Sequence, residues 1–140
     1  MSIDLTRLDH TFQSKPLLIG GKAMEYYGLR QAGADIDFVV VPEDYEALAA
    51  RYPDTLKDLW GDLGVCPFEF EIWTSICLYD YNELCQGALK EDGYWVISLE
   101  KLLFLKSLGS KVEKYHQDME LLVERMLKDR YARYYHPAKA

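Results

Sequence analysis

The sequence has little that would tie it to a disulfide framework, a membrane or a nucleic-acid backbone. Its three cysteines, Cys66, Cys77 and Cys85, are odd in number. None stands at the close spacing of a zinc knuckle or a redox pair, so they read as small hydrophobes in a reducing cytoplasm. His10, His116 and His136 are far apart, and none has a Cys or His at ligand spacing. Basic residues are few: 16 Lys and Arg against 23 Asp and Glu leave a net charge of −7. Broad adhesion to phosphate backbones, which needs arrays of Lys and Arg, is therefore not expected. A small anionic ligand held through a metal stays compatible with that charge. No apolar run approaches the length of a signal or membrane-spanning helix, so nothing points to export and a cytoplasmic location is expected. Internal repeats and low-complexity segments are also missing.

What is present is ordinary globular material. The 140 residues are 49% hydrophobic and 28% charged, enough for one domain with its own core and no disorder. The reading is a single domain over 1–130 followed by a polar, aromatic tail at 131–140. Residues 2–13 carry a weak amphipathic pattern for a first helix, ended by Lys15-Pro16. Leu17 to Ile19 read as a buried strand stopped by Gly20-Gly21, with a helix from Lys22 to Tyr27 closed by Gly28. A second strand over 35–41 ends at Pro42, which opens a helix over 43–51 with Glu43 and Asp44 near its positive end. Thr55 to Trp60 are expected to be helical, and Val65 to Ile72 form a third strand. Cys66, Phe68, Phe70 and Ile72 lie on one face of that strand, with Glu69 and Glu71 on the other. Residues 74–81 are expected to extend the sheet, 81–89 to be helical, and Trp95 to Ile97 to form a brief strand. Ser98 then caps a helix to about Leu108, and Val112, Tyr115, Met119, Leu122 and Met126 mark a last helix over about 111–130. The class expected is α+β: a small mixed sheet flanked by helices, with a C-terminal helical hairpin.

Two stretches carry possible chemistry. Asp35 and Asp37 stand at i and i+2 at the start of a strand, so both carboxylates turn to one face roughly 7 Å apart. Placing them at the mouth of an apolar strand costs stability, and a hard divalent ion would remove that cost. Strand, Gly-Gly corner and helix start together offer free backbone N–H groups and the positive end of a helix dipole, which suits phosphate. Each feature alone also reads blandly, as a tight turn or a solvated acidic edge. Together with Glu69 and Glu71 on a third strand they form a set able to hold one or two Mg²⁺ ions whose remaining positions phosphates would fill.

Gly20-Gly21-Lys22-Ala23, Arg30 and Asp35-Ile36-Asp37, followed by Phe70-Glu71-Ile72-Trp73-Thr74-Ser75-Ile76, resemble the minimal nucleotidyltransferase fold of the polymerase-beta superfamily. The branch most similar is that of small bacterial nucleotidyltransferase-like proteins of the AbiEii/MNT type. Ser98-Leu99-Glu100-Lys101-Leu102-Leu103 with Lys106 looks like the helix that follows, and Lys114 with Asp118 resembles a lysine and aspartate on the final helix. The resemblance covers about residues 17–127. It departs from the pattern at Gly33, where a hydroxyl residue is usual, at Arg30, one or two places further from Asp35, and at the third acid, Glu rather than Asp.

The resemblance implies a metal-dependent transfer of a nucleoside monophosphate from a nucleoside triphosphate to a hydroxyl on a protein, an RNA or a small molecule. Asp35, Asp37 and Glu71 would be the catalytic acids and the ligands of Mg²⁺ or Mn²⁺, with Glu69 as the alternative third acid. Gly20, Gly21, Lys22, Arg30 and Lys106 would bind the nucleotide. The bland readings are a solvated helix residue for Lys22 and Lys106, a loop cation paired with an acid for Arg30, and a surface i, i+4 pair for Lys114 and Asp118. Tyr26 and Tyr27 read either as stacking groups or as packing. A non-catalytic protein of the same fold, acting as a binding or toxin-antitoxin component, is the alternative function. With no second domain to hold an acceptor, a homodimer or an antitoxin-like partner would complete the cleft.

Overall fold

The computed structural model describes residues 2–59 and 61–134, and the chain divides after Ser98 into two compact units. In the first, strands β1 (Leu17–Ile19), β2 (Ile36–Val39), β3 (Leu56–Leu59), β4 (Asp62–Val65) and β5 (Phe70–Trp73) build one sheet with two later strands. The further elements are β6 (Ser75–Ile76), β7 (Tyr79–Asp80), β8 (Leu89–Lys90) and β9 (Trp95–Val96), with helices α1 (Gly20–Tyr26), α2 (Pro42–Arg51) and α3 (Tyr81–Leu84). The second unit holds α4 (Leu99–Leu108) and α5 (Lys114–Tyr134). The α+β class, a mixed sheet flanked by helices, is the one expected.

Among the described residues seven strands form one sheet in the order β3-β4-β5-β2-β1-β9-β8, while β6 and β7 make a separate ribbon. The central strands are short apolar runs whose side chains are buried on one or both faces. Leu17 and Leu18 are fully buried, Phe38 and Phe70 lie 6.4 Å apart with nearly parallel rings, and Ile72 and Leu48 complete that layer. Each such side chain contributes about 2 kcal/mol of burial, enough to override weak local preferences.

The pairing that matters for the site is mixed. β1 runs antiparallel to β2, whereas β5 lies parallel to β2 on its other side with Asp37 opposite Glu71. Two adjacent parallel strands that both begin with acids bring those acids to one end of the sheet.

Several sequence expectations change for identifiable reasons. The single strand expected over 65–72 is two strands, β4 and β5, because Pro67 has no N–H for a ladder and accepts a turn bond from the Phe70 N–H at 3.0 Å. Phe68 is thereby thrown off the shared face, 55% exposed, with φ of 57°. The helix expected over 55–60 is the edge strand β3, where pairing with β4 wins over the helical spacing of Leu56 and Leu59. Residues 2–13 form one 3-10 turn, Leu5–Leu8, rather than a helix. Residues 75–80 do not extend the main sheet: Cys77 and Leu78 take positive φ and fold β6 and β7 on each other. The helix expected over 81–89 ends at Leu84, with Gly87 at φ +76° and β8 beyond it. α5 runs on through Tyr134, so Tyr131 to Tyr134, read as tail, are helical, and 135–140 lie outside the described residues.

Buried carboxylates tie the frame. Asp44 in the first turn of α2 is fully buried and accepts from His10 Nε2 at 2.9 Å, Gln13 N at 2.9 Å and Ser14 N at 3.2 Å. These bonds replace the hydration of the charge and pin the 10–14 segment to the start of α2.

Candidate functional site

The sharp corner after β1 is made by glycine for two reasons. Gly20 has φ of +69°, and a Cβ there would stand 2.6 Å from Asp37 Oδ2. Any side chain would push the Asp37 carboxyl away, so Gly20 admits that group to the start of α1. Ile19, capping α1, provides no side-chain hydrogen bond to the first turn, and its own partner across the ladder is Asp37. Gly21 lies beside Arg30, whose Nη1 and Nη2 would be 3.7 Å from a Cβ at that position. Arg30 also donates to the Gln31 carbonyl at 2.9 Å.

Asp37 is half-buried, and its ladder neighbour is the half-buried Glu71. Burial, followed by a hydrogen bond and charge repulsion from Glu71, raises the Asp37 carboxyl from 3.8 to about 8. The raised value reflects how closely the two acids lie, side by side and hydrogen-bonded. The Trp73 indole opposes the shift, with Nε1 3.4 Å from Asp37 Oδ1, and the charge of Asp35 adds to it. Asp35 is exposed, just ahead of β2.

Trp73 is buried, and its ring lies against Gly64 on β4, where a Cβ would come within 3.0 Å of it. Extending the β4–β5 register one pair beyond Val65 and Ile72 puts Cys66 opposite Glu71. Burial, then the Glu71 charge, raises the Cys66 thiol, which Lys57 lowers slightly and Asp37 and Asp35 raise further.

The structure therefore brings Gly20, Gly21, Arg30, Asp37 and Glu71 to one place, with Asp35 at its mouth. Glu69, the alternative third acid, sits in the turn before β5 and takes a 2.6 Å salt bridge from Arg7, whose guanidinium lies 4.3 Å from the Phe68 ring centre. Lys22 lies 4.0 Å from Glu25, which also accepts from Ala32 N at 2.9 Å. Lys106 belongs to the second unit, where its buried ammonium meets Asp118 at 2.9 Å and lies over the Tyr115 ring. That pair crosses from α4 to α5. Lys114 stands 5.5 Å from the Tyr115 ring centre. Tyr26 and Tyr27 meet edge to face, with their hydroxyls on Glu91 and the Ile97 carbonyl.

Sequence reasoning missed Trp73 as a partner of Asp37. The signal was there: Trp73 stands two residues after Glu71, and the period of a strand turns both to one face. Cys66 and Gly64 were hidden by treating 65–72 as a single strand.

A carboxyl pair held together by one proton fits a cation. Removing the proton leaves two negative charges side by side in a half-buried place, the arrangement a hard divalent ion neutralises. Among the described residues no three His, Cys, Asp or Glu side chains converge as a complete ligand cluster, so the chain itself offers the Asp37–Glu71 pair. No family model, curated protein or solved structure matches this chain.

Proposed function

We propose that the protein is a metal-dependent nucleotidyltransferase that moves a nucleoside monophosphate from a nucleoside triphosphate to a hydroxyl acceptor. The observation that carries this reading is the in-register pair of Asp37 and Glu71, packed against a glycine corner that has room for nothing larger. Asp37 and Glu71, with Asp35 beside them, would hold Mg²⁺ or Mn²⁺. Such an ion, when bound, neutralises triphosphate charge and acidifies an attacking hydroxyl. Gly20 and Gly21 leave their backbone open to phosphate, Arg30 beside Gly21 supplies a planar cation for phosphate oxygens, and Lys22 adds charge from the same turn. Trp73 orients the Asp37 carboxyl through Nε1. Glu71, beside Asp37 in the ladder, is the group placed to take a proton from the acceptor hydroxyl.

A non-catalytic binding or toxin-antitoxin component is the second reading. It is favoured by the engagement of Lys106 with Asp118 and of Glu69 with Arg7, which occupies two charged groups the transfer would otherwise draw on.

Calorimetric titration with a non-hydrolysable triphosphate, with and without Mg²⁺, separates the two. Cation-dependent binding that disappears in the Asp35→Ala, Asp37→Ala double variant, with circular dichroism unchanged, is the expected result. Label transfer from an α-labelled triphosphate in cell extract then identifies the acceptor. An intact protein that binds no triphosphate with either Mg²⁺ or Mn²⁺ overturns the transferase reading.

A further inference from the structure

α5 is about twice as long as the helix it packs on. At 1.5 Å per residue its 21 residues extend roughly 31 Å, against roughly 15 Å for the ten residues of α4. The contact between Lys106 and Asp118 and the short link after α4 set the two helices side by side in opposite directions. Counting back from that pair, the start of α4 reaches only to about residue 125 of α5. Asp118 and Leu122 are buried on the α4 side. On the opposite side Val123, Leu127, Tyr131 and Tyr134 fall within about 40° of one line along the helix. Val123 is 41% exposed and Leu127 49%. Apolar residues spaced by four on the outward face of a helix already packed on its other side are a second seam.

Charge indicates what covers that seam. Glu124 flanks Leu127 on one side of the stripe, with Lys128 further round on the same side, and neither has an ion-pair partner among the described residues. In an antiparallel pair of identical helices related by a two-fold axis at Leu127, the Glu124 of one copy comes level with the Lys128 of the other to within about 3 Å along the axis. The pairing then occurs twice, once on each copy, while Val123 of one copy lies beside Tyr131 of the other and the two Leu127 side chains meet on the axis. A parallel two-fold arrangement would instead put the Glu124 and Lys128 of the two copies on opposite edges of the seam, where they do not meet.

We propose that the outer face of α5 binds a second copy of this chain in an antiparallel, two-fold helix pair centred on Leu127. Four side chains per copy make a contact below the standard interface size, so the association is reversible and weak. The inference is independent of the transferase reading, since no residue of the acid pair takes part.

Sedimentation equilibrium of the full chain from 5 to 500 μM tests it. A monomer–dimer equilibrium is expected, abolished by Leu127→Glu with helical content intact. Glu124→Lys alone and Lys128→Glu alone each set like charges against each other twice and weaken the dimer about tenfold, while the double swap restores it. A chain that stays monomeric to 500 μM overturns the proposal, as does a dimer indifferent to Leu127→Glu. Failure of the double swap to restore association overturns the antiparallel register, and with it the proposed pairing.

Discussion

Replacing Asp37 with Asn should make the protein more stable above neutral pH, contrary to the usual cost of altering a half-buried polar group. The Asp37 carboxyl titrates at about 8 in the fold, against 3.8 ordinarily, because burial and the adjacent Glu71 disfavour its charge. Below pH 4 folded and unfolded chains both carry the proton. Between 4 and 8 the folded chain holds a proton that the unfolded chain has lost, so stability falls as pH rises through that window and levels off above it. At about 1.4 kcal/mol per pH unit that window sets a ceiling on the order of 5 kcal/mol. Because the proton belongs to the pair rather than to one acid, about 3 kcal/mol is the working figure. For a chain of this length that corresponds to roughly 10 °C in Tm. Thermal unfolding of wild type and Asp37→Asn from pH 5 to 9 is the assay. The wild-type profile should decline, the variant's should be nearly flat, and the two should differ most at pH 8.5. Added Mg²⁺ should raise the wild-type Tm at pH 8.5 and leave the variant unmoved. A flat wild-type profile, or an Asp37→Asn protein less stable than wild type at pH 8.5, would refute the account of the acid pair.

Gly20→Ala should cost about 2 kcal/mol in urea unfolding, from the positive φ and the clash with Asp37, and should abolish Mg²⁺-dependent triphosphate binding. If binding survives at full strength, the corner does not position Asp37. Asp44→Asn exchanges an acceptor that satisfies His10, Gln13 N and Ser14 N for an amide that opposes one of those donors, and chemical denaturation should show a loss of about 3 kcal/mol. Lys106→Met leaves Asp118 buried without its ammonium and should destabilise by about 3 kcal/mol, whereas the Lys106→Met, Asp118→Leu double variant should recover most of that loss. A double variant no better than the single one would show that Lys106 contributes through something other than this pair.

Much of the sheet was legible because its strands are short apolar runs bounded by Gly or Pro. Leu17 to Ile19 and the strand from Ile36 could be read from composition, and so could the acids at their ends. α2, α4 and α5 were legible through their caps and stripes. The stretch from Thr55 to Phe70 was not. There Leu56 and Leu59 have helical spacing, and only the partner strand β4, which exists because Pro67 forces a turn, makes them extended. At the site, period two put Asp37 and Glu71 on strands while Asp35 falls just ahead of β2, and which of Glu69 and Glu71 lies beside Asp37 depends on where the turn ends. The turn gives Glu69 to Arg7 and leaves Glu71 in the ladder beside Asp37. The resemblance grouped Lys106 with the nucleotide-binding residues, whereas its partner Asp118 stands on the next helix, a pairing that period alone could not reveal.

Asp37, Asp44 and Asp118 are drawn partly or wholly from water, and their partners differ in kind. Asp44 is satisfied by a ring nitrogen and two backbone N–H groups, and Asp118 by an ammonium. Both arrangements return in hydrogen bonds what the charge loses in hydration. Asp37 instead faces another carboxyl and a single indole N–H. An apolar residue between Ile36 and Phe38 would serve the fold better, and an alanine at position 20 would be denied only by Asp37 and the local φ. Gly20 and Asp37 constrain each other through one carboxyl, so altering either should disturb the other, and under the proposed function that carboxyl is where a cation would bind.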